Sequence, residues 1–198
     1  PLSCIMDNDD LLILPEVIAC ADLLRENPKY SSSRGGLSSI SFSNGHYGKV
    51  THFSPMYTWF VNDVSAETAN DRIRIQSTSF HGNWHNMTRT NHIKAGWKLI
   101  NVVKPRNFRF TEQLTGYFNI LWGNGYRGSP NYPWMIHQTH TDRIKIGETD
   151  LESHFPSQEK WINSDYWPEE FAKMTDAIGV AISHFDNIDL EEAKESFR

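Results

Sequence analysis

The stretch CIMDNDDLLILPE, residues 4–16, decides the fold class of this 198-residue chain. The apolar residues 2–6 are typical of a short buried strand, and the acidic cluster Asp7-Asn8-Asp9-Asp10 follows them directly. After a second apolar run, Pro15 and Glu16 suit the first turn of a helix, because proline has no N–H to satisfy there and the carboxylate favours the positive end of the helix dipole. A strand, an acidic loop and a helix in this order predict an α/β domain.

The pattern continues on the carboxyl side of this stretch. The predicted helix buries the face that carries Val17, Ile18, Ala21 and Leu24, and it stops at Asn27-Pro28. A strand from Tyr30 to Arg34 is expected next, broken by Gly35-Gly36. Residues 37–60 alternate in a way that predicts a β-hairpin, with its turn at Asn44-Gly45.

The rest of the chain is expected to be mainly helical, with short strands between the helices. A helix is predicted over 65–76, capped by Ser65, and an irregular segment over 78–89. A helix followed by a strand is predicted over 90–103, then a helix from Glu112 to Trp122 and a strand from Tyr132 to His137. A polar loop over 141–165 leads to a helix from Pro168 to Asp186 and to another that begins at Leu190. We therefore expect a mixed sheet flanked by helices in a single domain over 1–198, with residues from about 166 to 198 as a helical C-terminal extension.

Composition excludes several classes of protein. Hydrophobic residues make up 38% and charged residues 22% of the chain, and the mean hydropathy is −0.55, which excludes a membrane-embedded protein; no apolar run is long enough for a transmembrane segment. The net charge of −5 without a Lys/Arg cluster argues against a nucleic-acid partner. Cys4 and Cys20 are not part of a CxxC motif, so we expect reduced core thiols. No signal peptide is visible, and the cytoplasm is the expected compartment.

The acidic cluster is the strongest indication of chemistry. It follows a predicted strand, and ligands of open α/β sheets bind at the carboxyl ends of strands. Neighbouring carboxylates repel one another unless a cation compensates them, and hard oxygen ligands suit Mg²⁺ or Mn²⁺. The alternative is an exposed acidic turn at a helix N-terminus, without a metal.

Residues 5–15 resemble the DxD segment of family-2-like glycosyltransferases with the GT-A fold. In that family an apolar strand, an Asp-x-Asp-Asp cluster, an apolar stretch and a proline that opens a helix follow one another. The family's next pattern, Phe/Leu-Leu-x-x-Asn-Pro-x-Tyr, corresponds to residues 23–30 here. The resemblance is sharp over residues 2–36 and weak beyond them.

The resemblance implies a metal-dependent enzyme that moves a sugar from a nucleotide-sugar donor to a hydroxyl acceptor, with inversion. Asp7 and Asp9 would form the DxD motif, with Asp9 on a Mn²⁺ or Mg²⁺ ion that bridges the diphosphate and Asp7 nearer the ribose or sugar. Asp10 matches the next acidic position and is counted among the substrate-binding residues. The metal would stabilise charge on the leaving nucleoside diphosphate.

The same resemblance makes Glu112 the candidate general base, because an acidic pair opens a helix near the acceptor in this family. Such a base removes the proton of the attacking acceptor hydroxyl. Here Gln113 replaces the second acid of the pair. Asp63 and Asp71 are reserve candidates, and the alternative for Glu112 is a first-turn carboxylate favoured by the helix dipole.

A late histidine completes the metal site of some GT-A enzymes, which implies His137 as a metal ligand. Alternation along a strand puts His137 and Thr139 on one face and Gln138 and His140 on the other, so only one histidine faces the site. The alternative is a surface or core histidine without a ligand.

Residues 81–89 combine aromatic, amide and cationic side chains between the acidic cluster and the predicted base. Trp84 is suited to stack on a sugar face, and Asn86 and Arg89 are suited to bind hydroxyl or phosphate groups of a substrate. The alternative is an ordinary loop with a packed Trp. Arg34, at the end of a predicted strand, is a further possible lining residue of the same cleft.

Two readings from other classes stay open. A non-catalytic carbohydrate-binding domain would use a calcium ion at the acidic turn and expose its Trp residues. A metal-dependent phosphoesterase or nuclease would bring the acidic cluster and a histidine, His137 or His140, within roughly 5 Å of one metal ion.

The beginning of the chain, Pro1 followed by an apolar run, is typical of a fragment. In the GT-A fold the segments that bind the nucleotide base precede the DxD motif, and only about six residues precede it here. We therefore expect the C-terminal part of a GT-A-like catalytic domain, poorly active in isolation.

Overall fold

A computed structural model of the chain describes residues 1–7, 10–42, 49–55, 63–78, 85–106, 108–128, 132–140 and 158–197. The side chains of residues 54–55, 108–109, 137–140 and 158 lie outside this description. Strands and helices are interspersed along the described chain, and the strands form two four-stranded mixed sheets. The expected mixed α/β class is thereby confirmed, but the strands form two mixed sheets where a single one was expected.

The described strands are β1 (Leu2–Ser3), β2 (Leu11–Leu12), β3 (Tyr30–Arg34), β4 (Gly36–Phe42), β5 (Val50–Pro55), β6 (Met87–Arg89), β7 (Asn124–Arg127) and β8 (Pro133–His140). The described helices are α1 (Leu14–Glu26), α2 (Ala69–Thr78), α3 (Thr90–Val103), α4 (Phe108–Leu121), α5 (Gln158–Ile162), α6 (Trp167–Asp186) and α7 (Leu190–Phe197).

The first sheet has the strand order β1-β6-β3-β7. β6 runs antiparallel to both β1 and β3, and β3 runs parallel to β7. β1, β3 and β7 therefore all point the same way and end at one edge of the sheet, called here the carboxyl edge. β6 begins at that edge.

The second sheet has the order β2-β8-β4-β5 and continues from the first. Gly35 alone separates β3 from β4, and the parallel pair of β3 with β7 is followed by the parallel pair of β4 with β8. A Cβ atom at Gly35 would lie 2.8 Å from the Cβ of Trp134 and 2.9 Å from the carbonyl oxygen of Tyr132. Glycine is therefore required where the chain passes from one sheet to the other. The predicted hairpin is confirmed by the antiparallel pairing of β4 with β5, and its turn lies outside the described residues.

Two apolar clusters hold the elements together. One joins α2, α3, α4, α6 and α7, with Ile73, Phe118, Ile178 and Ala193 among its buried members. The other lies under α1 and includes Leu24, Trp134 and Met135. The helices after residue 166 thus share a core with α2, α3 and α4. None of the described helices has both the length and the apolar character needed to cross a bilayer.

Several sequence-based boundaries were right. α1 ends before Asn27-Pro28, β3 ends at Arg34, and α6 and α7 occupy the two predicted C-terminal helices. The expected buried face of α1 needs one correction, because Ile18 is 50% exposed while Cys20, Ala21 and Leu24 are buried.

Other boundaries were wrong. Residues 90–103 form one helix rather than a helix and a strand, residues 87–89 form β6 rather than an irregular segment, and residues 158–162 of the predicted loop form α5. The start of the second helix also differs: it begins at Ala69, where the Thr68 hydroxyl accepts a hydrogen bond from the Asp71 backbone N–H at 3.0 Å. Ser65 does not cap it.

Candidate metal centre

Asp7, Asp10 and His85 form a cluster at the carboxyl edge of the first sheet. Each offers one ligand atom, and these atoms all lie within 4.8 Å of one another. Asp7 is exposed, Asp10 is buried and His85 is partly buried. The cluster therefore has one side open to solvent and one side set into the protein.

The directions of β1 and β6 explain why residues so far apart in sequence meet. Ser3 of β1 pairs with Thr88 of β6, and the two strands are antiparallel. The chain that leaves β1 therefore passes beside the chain that enters β6. Asp7 lies in the first of these segments and His85 in the second.

The loop that carries the two aspartates is fixed at both of its ends. β1 holds its start in the first sheet, and β2 holds its end in the second, with the Ile13 N–H donating to the Trp134 carbonyl oxygen at 2.8 Å. Within the loop, the Asp10 N–H donates to the Asp7 carbonyl oxygen at 3.3 Å. This turn brings the two carboxylates to the same side.

A backbone contact orients the His85 ring. Its Nδ1 lies 3.2 Å from the carbonyl oxygen of Ile5, which can only accept a hydrogen bond. Nδ1 therefore carries the proton, and in the neutral ring the lone pair is on Nε2. That atom lies 3.9 Å from a carboxylate oxygen of Asp7. In metal-binding histidines one ring nitrogen commonly donates to a backbone carbonyl or a carboxylate while the other faces the ion, and the Ile5 contact meets the first of these conditions.

The spacing suits one divalent ion. Ligand atoms about 2.0–2.2 Å from a shared ion lie at most about 4.4 Å apart. The 3.9 Å between His85 and Asp7 already satisfies this limit, and the 4.8 Å bound on the whole cluster requires shifts of a few tenths of an ångström. Two carboxylates and one imidazole are a ligand set that suits Mn²⁺ and related transition metals better than Ca²⁺.

The structure places the carboxylates of Asp7 and Asp10 close together. The expected metal-binding pair was Asp7 and Asp9, with Asp10 as a substrate-binding residue, and Asp9 lies outside the described residues. His85 was not predicted as a ligand. It belongs to the residue 81–89 segment, which the sequence indicated as a substrate-binding loop. Only the pairing of β1 with β6 reveals that this segment meets the acidic loop.

His137, the histidine implied by the family resemblance, belongs to β8, and its side chain lies outside the described part. Its backbone is nevertheless close to the acidic loop. β2 pairs antiparallel with β8 so that Leu11 is opposite Ile136. Continuing this register by one residue sets His137 opposite Asp10.

The predicted base, Glu112, is partly buried and lies one turn inside α4, because the helix begins at Phe108 and not at residue 112. α4 precedes β7 and runs in the opposite direction to it, so the N-terminal turns of α4 lie toward the carboxyl edge of the first sheet. Glu112 shares a helix face with Thr115, three residues later. Thr115 lines the same cavity as Ile5 and Asn86, the neighbours of the metal cluster.

The reserve candidates have other roles in the fold. Asp63 accepts a hydrogen bond from the Arg127 backbone N–H at 2.6 Å, at the end of β7. β7 and β1 are the two outer strands of the first sheet, so Asp63 lies at the far side of the sheet from Asp7. Asp71 caps α2 together with Thr68.

The predicted substrate-binding residues lie in different places. Asn86 is 2% exposed, and its Nδ2 donates to the Ser32 hydroxyl at 3.3 Å. The Arg89 guanidinium donates to the Leu24 carbonyl oxygen at 2.7 Å, at the end of β6 away from His85. Trp84 lies outside the described residues. Arg34 is 1% exposed, and burial, followed by the neighbouring Arg127 charge, lowers its pKa well below the ordinary value.

The described Trp residues are buried or packed against apolar side chains rather than fully exposed to solvent. Trp134 and Trp161 are fully buried, and Trp97, Trp122 and Trp167 lie against the larger apolar cluster. Trp97, Trp122 and Trp167 are only partly exposed, whereas a carbohydrate-binding domain was expected to expose its Trp residues.

The two thiols fit the predicted reduced state. Both cysteines are free, Cys20 is buried and Cys4 partly buried. Burial is the main cause that raises the pKa of Cys20 to about 11, so this thiol is protonated and weakly nucleophilic at neutral pH.

Comparison with known proteins adds no assignment to this geometry. No protein-family model matches the chain, and a search of curated proteins finds no significant match.

Proposed function

We propose that the chain carries the metal site of a glycosyltransferase that moves a sugar from a nucleotide-sugar donor to a hydroxyl acceptor. The observation that carries the proposal is the convergence of Asp7, Asp10 and His85 within 4.8 Å at the carboxyl edge of a mixed α/β sheet. Ligands of open α/β folds bind at this edge. The resemblance of residues 5–15 to a DxD segment agrees with that placement.

In this proposal Asp7, Asp10 and His85 hold a Mn²⁺ or Mg²⁺ ion, and Asp9 remains a predicted ligand. The ion, when bound, supplies positive charge for a nucleoside diphosphate leaving group. Asp7, on the solvent side of the cluster, meets the incoming donor first. His85 is held in one tautomer by Ile5, which keeps its Nε2 atom available without reorganisation.

Glu112 takes the proton of the acceptor hydroxyl in this scheme. Its helix face is shared with Thr115, which lies beside Asn86 and Ile5. A carboxylate that accepts the proton of an attacking hydroxyl acts as a general base.

A second candidate function is hydrolysis of a phosphate ester. It is favoured by one observation, the presence of a histidine in the cluster, which the predicted phosphoesterase required. The histidine is His85 rather than His137 or His140.

The test is to titrate UDP into the full chain with and without Mn²⁺, in the wild type and in Asp10→Asn. We expect UDP binding that needs Mn²⁺ and is lost in Asp10→Asn, whereas Asp22→Asn, an exposed carboxylate on α1 that pairs with Arg25, binds like the wild type. Absence of Mn²⁺-dependent UDP binding in every protein would contradict the proposal.

Hydrolysis of bis(p-nitrophenyl) phosphate by the same proteins separates the two functions. Mn²⁺-dependent hydrolysis that is lost in Asp10→Asn, without UDP binding, would favour the phosphoesterase. UDP binding without hydrolysis favours the glycosyltransferase.

A further inference from the structure

A small cavity lies behind the metal cluster, between the first sheet and helices α3 and α4. Ile5, Asn86, Trp97, Thr115 and Phe118 are among the residues that line it. Its volume is about 10 Å³, which is about the room that one water molecule or one hydroxyl group needs.

The cavity wall carries one buried polar atom with an unused hydrogen-bonding capacity. Asn86 is 2% exposed and donates through Nδ2 to the Ser32 hydroxyl. Its Oδ1 has no hydrogen-bond partner among the described residues. A buried acceptor left in this state destabilises the fold, so buried amides are almost always satisfied by the protein or by an ordered oxygen.

Thr115 and Asn119 are the other polar residues of the lining, and the remaining lining residues are apolar. Ile5, Trp97 and Phe118 offer carbon surfaces, and the Thr115 hydroxyl already donates to the Thr111 carbonyl oxygen at 2.8 Å. A cation or an anion would find no compensating charge on these side chains. A neutral O–H group fits, because it can donate to Asn86 Oδ1 and needs little space.

The cavity is adjacent to the candidate metal centre in the chain and in space. Asn86 directly follows His85, and the Ile5 carbonyl oxygen is the group that orients the His85 ring. Both residues therefore form part of the cavity and part of the support of the metal cluster.

We propose that this cavity is a binding site for one O–H group, which donates a hydrogen bond to Asn86 Oδ1 beside the metal centre. In the free protein a water molecule supplies the group. In the ligand-bound protein a hydroxyl of the sugar substrate replaces that water, and this second source rests on the proposed function.

Two crystal structures of the full chain at high resolution test the site, one without ligand and one with Mn²⁺ and UDP-glucose. A water oxygen about 2.7–3.2 Å from Asn86 Oδ1 supports the site in the free protein, and its replacement by a sugar hydroxyl identifies the substrate as the second source. A cavity without an oxygen in both structures overturns the proposal. If the cavity holds a water molecule but the protein binds neither Mn²⁺ nor UDP-glucose, the oxygen site is supported and the proposed function is contradicted.

A stability comparison tests the same site without crystals. Asn86→Leu removes both amide hydrogen bonds, whereas Ser32→Ala removes only the partner of Nδ2. With an oxygen bound to Oδ1, Asn86→Leu raises the unfolding equilibrium constant about tenfold more than Ser32→Ala does. A dry cavity predicts that Asn86→Leu is no more destabilising than Ser32→Ala, and this result would contradict the proposal.

Discussion

His85 Nε2 lies 3.9 Å from a carboxylate oxygen of Asp7, while Nδ1 of the same ring lies 3.2 Å from the carbonyl oxygen of Ile5. One short strand pair, β1 with β6, brings the two residues together. The imidazole is thus oriented by the same loop that carries its carboxylate neighbour. In the proposed metal site, the preference for one ion over another therefore depends on His85.

The first prediction concerns that preference. His85→Ala removes the only nitrogen ligand in the described cluster and leaves two carboxylates, a set that suits Mg²⁺ as well as Mn²⁺. We expect Mn²⁺ affinity to fall by about tenfold or more and Mg²⁺ affinity to change less. Calorimetric titration of both ions measures the ratio. His52→Ala, on the exposed edge strand β5, is the control, and an equal loss for both ions in His85→Ala would argue against direct ligation.

The second prediction concerns Arg72, a buried side chain that ties α2 to the end of α4. Its guanidinium donates to the carbonyl oxygens of Ile120 and Leu121 at 2.8 Å each, and to those of Ala66 and Glu67 at 3.0 and 2.9 Å. Arg72→Met leaves these carbonyl groups without their donor.

We expect Arg72→Met to lower the free energy of unfolding by about 3 kcal/mol, measured by urea denaturation. Arg74→Met is the matched control, because Arg74 lies on the same helix with an exposed side chain. A similar small effect of both substitutions would show that the buried guanidinium contributes little.

The third prediction concerns acid stability and His92. The His92 ring stacks on Trp122 at 4.9 Å, and its Nδ1 is buried without a hydrogen-bond partner among the described residues. Burial first, and then the nearby Arg89 charge, lowers the pKa of His92 from 6.5 to about 4.

Because the folded pKa lies below the unfolded value, the unfolded chain binds the proton more readily. The stability that neutral His92 contributes is present above about pH 6.5 and is lost as the pH falls from there towards 4. His92→Phe keeps the stacking and removes the titration, so we expect its stability to fall less than that of the wild type between pH 7.5 and 4.5. Urea denaturation at both pH values measures this, and parallel losses would refute the assignment.

The fourth prediction concerns two residues in the left-handed region. Lys104 ends α3 with φ at 49°, and Asn187 ends α6 with φ at 54°. This conformation costs a lysine roughly 1 kcal/mol, and asparagine tolerates it better. Lys104→Gly is expected to stabilise by about 0.5–1 kcal/mol and Asn187→Gly by less.

Thermal denaturation measures both changes. Lys98→Gly, an exposed position inside α3, serves as the control and should destabilise by about 1 kcal/mol, because glycine weakens a helix interior. A loss of stability in Lys104→Gly would contradict the strain at this position.

Local sequence signals correctly predicted the elements whose boundaries are set by residues at their own ends. Pro15 and Asn27-Pro28 delimit α1 because proline fixes where a helix can begin and end. β3 ends at Arg34, where the Gly35-Gly36 pair predicted a break, although the structure shows that glycine is required at residue 35 by a distant residue, Trp134.

Elements set by distant contacts were mispredicted. α2 begins at Ala69 partly because the Asp186 carboxylate, from the end of α6, accepts hydrogen bonds from the N–H groups of Ala69 and Asn70 at 2.7 and 2.8 Å. α3 stays helical to Val103 although its last residues favour strands, because Ile100 and Val103 pack into the larger apolar cluster. Neither contact is visible in the local sequence.

The residues of the candidate site also differ in whether the local sequence could predict their contact. Asp7 and Asp10 are neighbours in one loop, so the sequence predicted their meeting. His85 reaches them only through a three-residue strand, β6, which is too short to show a period-two pattern. The described residues thus add His85, brought in by a non-local strand pair, to the candidate site, while Asp9 and the side chain of His137 lie outside the described part of the chain.

Calorimetric titration of Mn²⁺ into the full chain tests the central claim that Asp7, Asp10 and His85 form one metal site. The wild type is compared with Asp7→Asn, Asp10→Asn and His85→Ala, and with Asp22→Asn as the control. The account predicts one saturable Mn²⁺ site in the wild type and in Asp22→Asn, weakened at least about tenfold by each of the other three substitutions. Wild-type Mn²⁺ affinity that all three substitutions leave unchanged would contradict the account.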